Sequence, residues 1–226
     1  MNIIAFDTSN NDNISVAISN GKNVLSYLTD HRQAKQAEML IPMIEEAIKR
    51  AAISYEQINY LGVSSGPGSF TGIRIGLAAA KSIAFGTGIE AMAISNFDIA
   101  FNYVKTKITN YDNIMVVINA YRGQFYVQQF DKNSSLAAPE ILSNLELINM
   151  FNNIKHKIVC IGKDLGPLYN DLNIMPNVTI LPRFPRMNAL YMCHIIRDII
   201  EECNDKRSLL EPLYIRLPDA IPNIAK

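Results

Sequence analysis

One stretch, Leu61-Gly-Val-Ser-Ser-Gly-Pro-Gly-Ser-Phe-Thr-Gly-Ile-Arg-Ile-Gly-Leu-Ala-Ala-Ala-Lys81, commits its chain to a strand, a tight turn and a helix, in that order. Residues 60–64 are a short apolar strand. Two glycines around Pro67 make a turn whose backbone can lie close to another group. Thr71, or Ser69 before it, can cap a helix running to about residue 85. Free N–H groups at such a helix start form an anion site, but a plain strand-to-helix turn accounts for the same glycines. No Gly-Lys-Ser/Thr follows, so this is not a Walker A loop, and it is not GxGxxG either.

The helix says more than the loop. At 100° per residue Arg74 and Lys81 share one narrow arc, and apolar or small residues fill nearly everything else. A helix apolar most of the way round is covered on more than one side. Gly72, Gly76 and Ala80, four residues apart, would let a neighbouring backbone come close. A second helix is expected over residues 35–52. Leu40, Ile44, Ala47, Ile48 and Ala51 give its core stripe, and Ala37, Met39, Ile41 and Met43 widen it to about 200°, roughly twice what one core needs. Met stripes are usually core. Two over-apolar helices together favour a helical interface with a partner.

The chain opens on residues 2–6 as a strand ending in Asp7-Thr8-Ser9, then alternates over residues 14–19 and returns over 24–29 after an Asn-Gly turn. A carboxylate at the tip of the first of three meander strands is the opening of a ribonuclease-H-like lobe, where it could hold a metal–phosphate complex. A strand end capped by its own Asp-Thr-Ser hydrogen bonds fits equally. Further along, residues 88–95 are a strand and 96–107 a helix. Residues 105–113 are polar enough for a hinge. Residues 114–119 and 124–130 begin a second meander, 131–136 are a loop, 158–162 a strand, 189–202 the last long helix, and 212–218 an extended tail. Both halves start with paired strands and pass into a βα pattern, so two related lobes are expected, at 1–107 and 108–226.

Equal numbers of basic and acidic residues, 21 each, leave no global field to gather nucleic acid. Cys160, Cys193 and Cys203 are widely spaced and odd in number, which suits buried free thiols better than disulfides or zinc. No basic region precedes Asp7, and no apolar run approaches a membrane span. A cytoplasmic protein is expected, with no membrane contact.

Six motifs carry a family resemblance from the first strand to the tail. They are Ile4-Ala-Phe-Asp-Thr-Ser9, Glu38-Met-Leu-Ile-Pro-Met43, Val63-Ser-Ser-Gly-Pro-Gly-Ser-Phe-Thr-Gly-Ile-Arg-Ile-Gly76, Ala79-Ala-Lys-Ser-Ile-Ala84, Tyr121-Arg-Gly-Gln-Phe-Tyr126 and Pro212-Leu-Tyr-Ile-Arg216. Together they resemble the bacterial TsaB (YeaZ) family, whose members are partner proteins in making threonylcarbamoyladenosine in tRNA. The resemblance implies an α/β, actin/hexokinase/Hsp70-like (ASKHA) fold of two ribonuclease-H-like lobes. It implies pairing with the transferase paralogue TsaD and with the ATPase TsaE, and tRNA contact only through that complex. The partner's metal-binding histidines lie four residues apart on the counterpart of the 35–52 helix. Here His31, His156 and His194 are solitary, so no metal site is expected. Gln36 and Ala37 stand where the family commonly has His-Ser. Asn119 stands where an Asp is usual, and the 162–166 loop lacks the paired glycines that cradle an adenosine in active kinases of the fold.

The reading favoured is therefore a non-catalytic subunit with no catalytic residues of its own. Its docking face would be Met39, Leu40, Met43, Ile44, Gly72, Arg74, Ile75, Gly76, Ala79, Ala80 and Ile83, and a second copy of the chain would cover that face when TsaD is absent. The alternative is an ATP-handling enzyme of the same pathway, with Asp7, Thr8, Ser9, Gly66 and Gly68 holding phosphate. ATP or ADP would sit at or near the subunit interface. A metalloprotease is disfavoured, since no zinc motif or Ser-His-Asp arrangement is present.

Overall fold

Strict alternation along the first strands decides where the first core lies. The computed structural model describes residues 1–181, 188–202 and 209–216. Strands β1 (Asn2–Asn10), β2 (Asn13–Asn20) and β3 (Asn23–Asp30) form an antiparallel meander, and β4 (Tyr60–Gly66) and β5 (Glu90–Ser95) join parallel to β1, giving the order β3-β2-β1-β4-β5. Ile4, Phe6, Val16, Ile18, Leu61 and Val63 point to one face, and Ile3, Ala5 and Ala17 to the other, as a period of two requires.

Helices α1 (Gln36–Ala51) and α2 (Phe70–Thr87) lie side by side over the first face, burying Leu40, Met43, Ile44, Ala47 and Ile48 from one and Ile73, Leu77 and Ala80 from the other. Helix α2 starts at the Ser69 cap, whose hydroxyl accepts from the Gly72 N–H at 3.3 Å, and ends on Gly88 in the left-handed region.

The second half repeats the plan. Strands β6 (Asn113–Asn119), β7 (Gln124–Phe130), β8 (Glu140–Ser143), β9 (Ile158–Lys163) and β10 (Val178–Leu181) pair in the order β10-β9-β6-β7-β8, the first sheet's order read from the other edge. Helix α4 (Asn144–Asn153) takes the place of α1, and α5 (Leu168–Asn173) that of α2; both cover Met115, Val117, Val127 and Cys160. Strand β8, α4, α5 and β10 were not expected from the sequence. Only Leu147 and Phe151 are buried on α4, so its apolar period is faint, although its Ser143–Glu146 capping box is a readable start.

The last helix of each half crosses over. Helix α3 (Asn96–Lys105) follows the first sheet, yet Phe97, Phe101 and Val104 pack with Ile114, Val116 and Phe130 of the second. Helix α6 (Asn188–Glu201) follows the second sheet, yet Ala189, Met192, Cys193 and Ile196 pack on Ile3, Ala5 and Ala17 of the first. The two helices touch each other between the sheets. Position 107 separates the sheets; it does not separate the helices that cover them. Cys160 and Cys193 are free and buried, and Cys203, like positions 217 and 218 of the expected tail, falls outside the described residues.

Candidate functional site

Register makes Asp7 and Asn119 counterparts. Ala5 pairs with Gly62 and Phe6 with Val63, while Val117 pairs with Gly162 and Ile118 with Lys163. One residue further along each strand stand Asp7 in the first lobe and Asn119 in the second. The two strand tips face each other across a cleft lined by Ser9, Asn10, Pro67, Gly68, Ser69, Asn96, Ile118, Asn119, Tyr121 and Asp164, with a volume of about 40 Å³.

The polar groups around this cleft are engaged with one another. Asp7 is fully buried and accepts from the Ser9 N–H and the Asn10 side-chain amide, both at 2.9 Å. The Thr8 hydroxyl donates to the Gly72 carbonyl at 2.7 Å, tying β1 to the start of α2. Asn96 holds the turn: its amide donates to the Ser9 hydroxyl and to the Pro67 carbonyl, each at 2.8 Å, and its carbonyl accepts from Ser64 at 2.9 Å. The Ser69 N–H donates to the Ser9 carbonyl at 2.7 Å, and a Cβ added at Gly68 would overlap that same carbonyl. Gly66, at φ +94°, supplies the conformation that lets the turn fold back so closely. Gln36 joins from α1, donating to the Asn10 carbonyl at 2.8 Å. Behind the carboxylate, burial first and the Asp7 charge second push the Tyr27 hydroxyl up to about 12.

Asp7, Thr8, Ser9, Gly66 and Gly68 are thus brought together as expected, but into a closed seam. A cleft of about 40 Å³ is far below the ~300 Å³ at which small-molecule pockets begin, and Gly68 lies on Ser9 where a phosphate would need room. Among the described residues no group of three or more His, Cys, Asp or Glu could hold a metal. Across the cleft, Tyr121, Arg122 and Asp164 all have left-handed φ. Asn119 holds this rim, donating to the Asp164 carbonyl at 3.1 Å and accepting from the Tyr121 N–H at 2.7 Å. Asn96 and Asp164 had no motif to announce them, and Tyr121 opened one of the six motifs without a role assigned to it. Asn96 could have been suspected from its place directly after a strand.

The expected docking set divides. Leu40, Met43, Ile44, Gly72, Gly76 and Ala80 are buried on the inner side of the α1–α2 layer, against the chain's own sheet. The backbone that comes close to the small residues is the chain's own β1. A Cβ on Gly72 would overlap the Thr8 carbonyl oxygen, and one on Gly76 would stand 2.6 Å from the Thr8 hydroxyl. Met39, Ile75, Ala79 and Ile83 are only partly buried, and Arg74 is exposed. Around them lie apolar side chains absent from the expected set: Ile41 is 44% exposed, Phe70 57% and Phe85 94%. Phe70 and Phe85 flank α2 at its two ends, a position no periodicity argument reaches. The Arg74 guanidinium stacks 3.7 Å above the Phe70 ring and donates to the Tyr214 hydroxyl at 3.1 Å.

A family model described as "TsaD: tRNA N6-adenosine threonylcarbamoyltransferase" matches residues 30–157. The tRNA threonylcarbamoyladenosine biosynthesis protein TsaB of Haemophilus influenzae is 23% identical over 96% of this chain and 94% of its own. The TsaB of Buchnera aphidicola subsp. Schizaphis graminum is 34% identical over 59% of this chain and 62% of its own. YeaZ from Pseudomonas aeruginosa superposes with a TM-score of 0.71 at 16% identity, covering 94% of this chain and 99% of that one. That likeness, with the doubled sheet order, places the chain in the two-lobed α/β ASKHA fold.

Proposed function

We propose that this chain, which belongs to the TsaD family of tRNA N6-adenosine threonylcarbamoyltransferases and within it to the TsaB (YeaZ) group, is the non-catalytic activator subunit of a threonylcarbamoylating complex. Its role in tRNA threonylcarbamoyladenosine biosynthesis follows from that membership. In the finer reading it dimerises with a TsaD-like paralogue in the cytoplasm, recruits a TsaE-like ATPase, and meets tRNA only through the assembly. The product is the modified adenosine beside the anticodon of tRNAs that read codons beginning with A.

The observation that carries this reading is the outer side of the α1–α2 layer. Ile41, Phe70 and Phe85 are exposed on the two helices, which also carry half-buried Met39, Ile75, Ala79 and Ile83, and in this reading they form the kind of apolar surface that marks an interaction site. The interlobe seam, by contrast, has its polar groups occupied. ATP or ADP, in this reading, binds where the chain meets its partner and not in the seam. Without the paralogue, a second copy occupies the same face.

The test uses Ile41→Glu and Phe85→Glu, two exposed positions whose substitution leaves the core untouched. Each would bury an unpaired carboxylate in the complex, a cost of several kcal/mol. Size-exclusion chromatography with the TsaD-like paralogue should show the parent chain co-migrating and both variants eluting apart, with unchanged melting. Variants that fold and still co-migrate would overturn the assignment of the face. The competing reading, an ATP-handling enzyme, rests on the cleft lying between the two lobe tips. ATP hydrolysis by the pure chain, abolished by Asp7→Ala, would establish it.

A further inference from the structure

Residues 209–216 form no helix or strand, yet five of the eight are attached to the lobes, and between them to both. Leu210 packs against the core under α1 and α2. The Leu213 N–H donates to the Ser65 carbonyl at 2.9 Å, at the end of β4. The Tyr214 hydroxyl accepts from Arg74 at 3.1 Å, and its ring lies 6.1 Å from that of Phe70. From there the segment changes lobes. Leu213 and Ile215 pack with Phe97, Ile114, Val116 and Phe130 over the second sheet, and Arg216 donates to the Gln124 side-chain carbonyl on β7 at 2.8 Å.

We propose that residues 209–216 are a strap that fixes the angle between the lobes and, through Tyr214, couples that angle to the setting of Arg74 on α2. The lobes are otherwise joined through α3 and α6, each packed on the other lobe's sheet, and residues 209–216 add a further fastening that runs from the start of α2 to β7. A chain segment fastened on each side of a hinge must stretch or detach if the hinge opens. Two of its fastenings to the first lobe flank the start of α2: Ser65 at the end of β4 and Arg74 in the second turn of the helix. Lobe opening would therefore pull on the helix end that carries Phe70 and Arg74. This holds whether or not the helix face meets a partner.

The experiment is a distance measurement on the full chain. Nitroxides at Lys22→Cys in the first lobe and Asn133→Cys in the second, both exposed turn positions, report the lobe angle in a Cys203→Ser background. The parent should give one narrow distance distribution. Arg216→Ala combined with Gln124→Ala, and separately Ile215→Ala, should broaden it, as release of a hinge would, with far-UV dichroism unchanged. Tyr214→Phe, which keeps the ring and loses the hydroxyl, should leave the lobe distance narrow and raise nitroxide mobility at a label on Thr71→Cys beside the freed Arg74. If Ile215→Ala unfolds, the surface pair Arg216 and Gln124 decides the matter. A distribution as narrow in that pair as in the parent would overturn the strap.

Discussion

Helix α2 contains three glycines that look alike in sequence and should respond oppositely to the same substitution. At Gly72 an added Cβ would overlap the Thr8 carbonyl oxygen and come within 3.1 Å of its carbon. The obstacle is backbone in the middle of a sheet, so β1 and α2 must separate. Overpacking of this kind costs about 1–3 kcal/mol. The hydrogen bond from the Thr8 hydroxyl to the Gly72 carbonyl would be strained as well, at about 0.5–1.5 kcal/mol. Against this stands about 1 kcal/mol from the better helix propensity of Ala. Gly72→Ala should therefore lose about 1–3 kcal/mol net, a fall of about 3–10 °C in Tm for a chain of this size.

Gly86 sits in the last turn of the same helix with nothing within 4 Å of the new methyl. There the propensity term acts alone, and Gly86→Ala should raise Tm by about 2–4 °C. Gly76 lies between, since its nearest atoms are the Thr8 hydroxyl at 2.6 Å and a Val63 methyl at 3.2 Å, both side-chain ends. Urea unfolding of the three variants at one pH gives the order directly. The same samples, mixed with the TsaD-like paralogue below their melting temperatures, show whether any of the three glycines matters for docking. A neutral Gly72→Ala, or a Gly86→Ala as damaging as Gly72→Ala, would refute the claim that the small residues face the chain's own first strand.

Two further outcomes follow from titratable groups. Burial pushes both the Cys160 and Cys193 thiols up to about 12, which leaves a thiolate fraction on the order of 10⁻⁴ at pH 8; a Cys203→Ser chain should not react with a disulfide reagent until denatured, and prompt labelling of the native protein would contradict the packing of α6 and β9. His194 is held below its ordinary range by burial, then by the nearby Arg197, with Asp198 opposing. Its unfolded form then binds the proton more readily, so stability is full above the ordinary value of about 6.5 and declines as pH falls through it. His194→Gln should flatten the dependence of the urea midpoint between pH 7.5 and 5.5, and an unchanged slope would put the acid sensitivity elsewhere.

Much of the first lobe was readable because its elements obey one rule at a time. The meander alternates cleanly, the Asn-Gly turn marks the second hairpin, and residues 60–85 carry a strand, a glycine turn and a capped helix without interruption. The second lobe speaks more quietly. Four-residue strands such as Glu140–Ser143 and a helix with two buried residues leave little periodicity to count. At the site, sequence indicated which side chains meet but not which way they point. Gly72, Gly76 and Ala80 announced a close approach, and only the fold reveals that Thr8 makes it. Phe70 and Phe85 were legible as aromatics and illegible as surface. Tyr214 lies 140 residues from Arg74, a separation that no local pattern bridges.

The crossing of α3 and α6 makes the two lobes thermodynamically one body. Cutting the chain between them would strand each sheet beside the wrong helix, leaving Ile3, Ala5 and Ala17 without α6 and Ile114, Val116 and Phe130 without α3. Neither fragment could satisfy its own interior, although each holds a full set of five strands. The two lobes have in effect traded terminal helices. In the present chain that exchange is intramolecular, and its loss would dismantle both halves together.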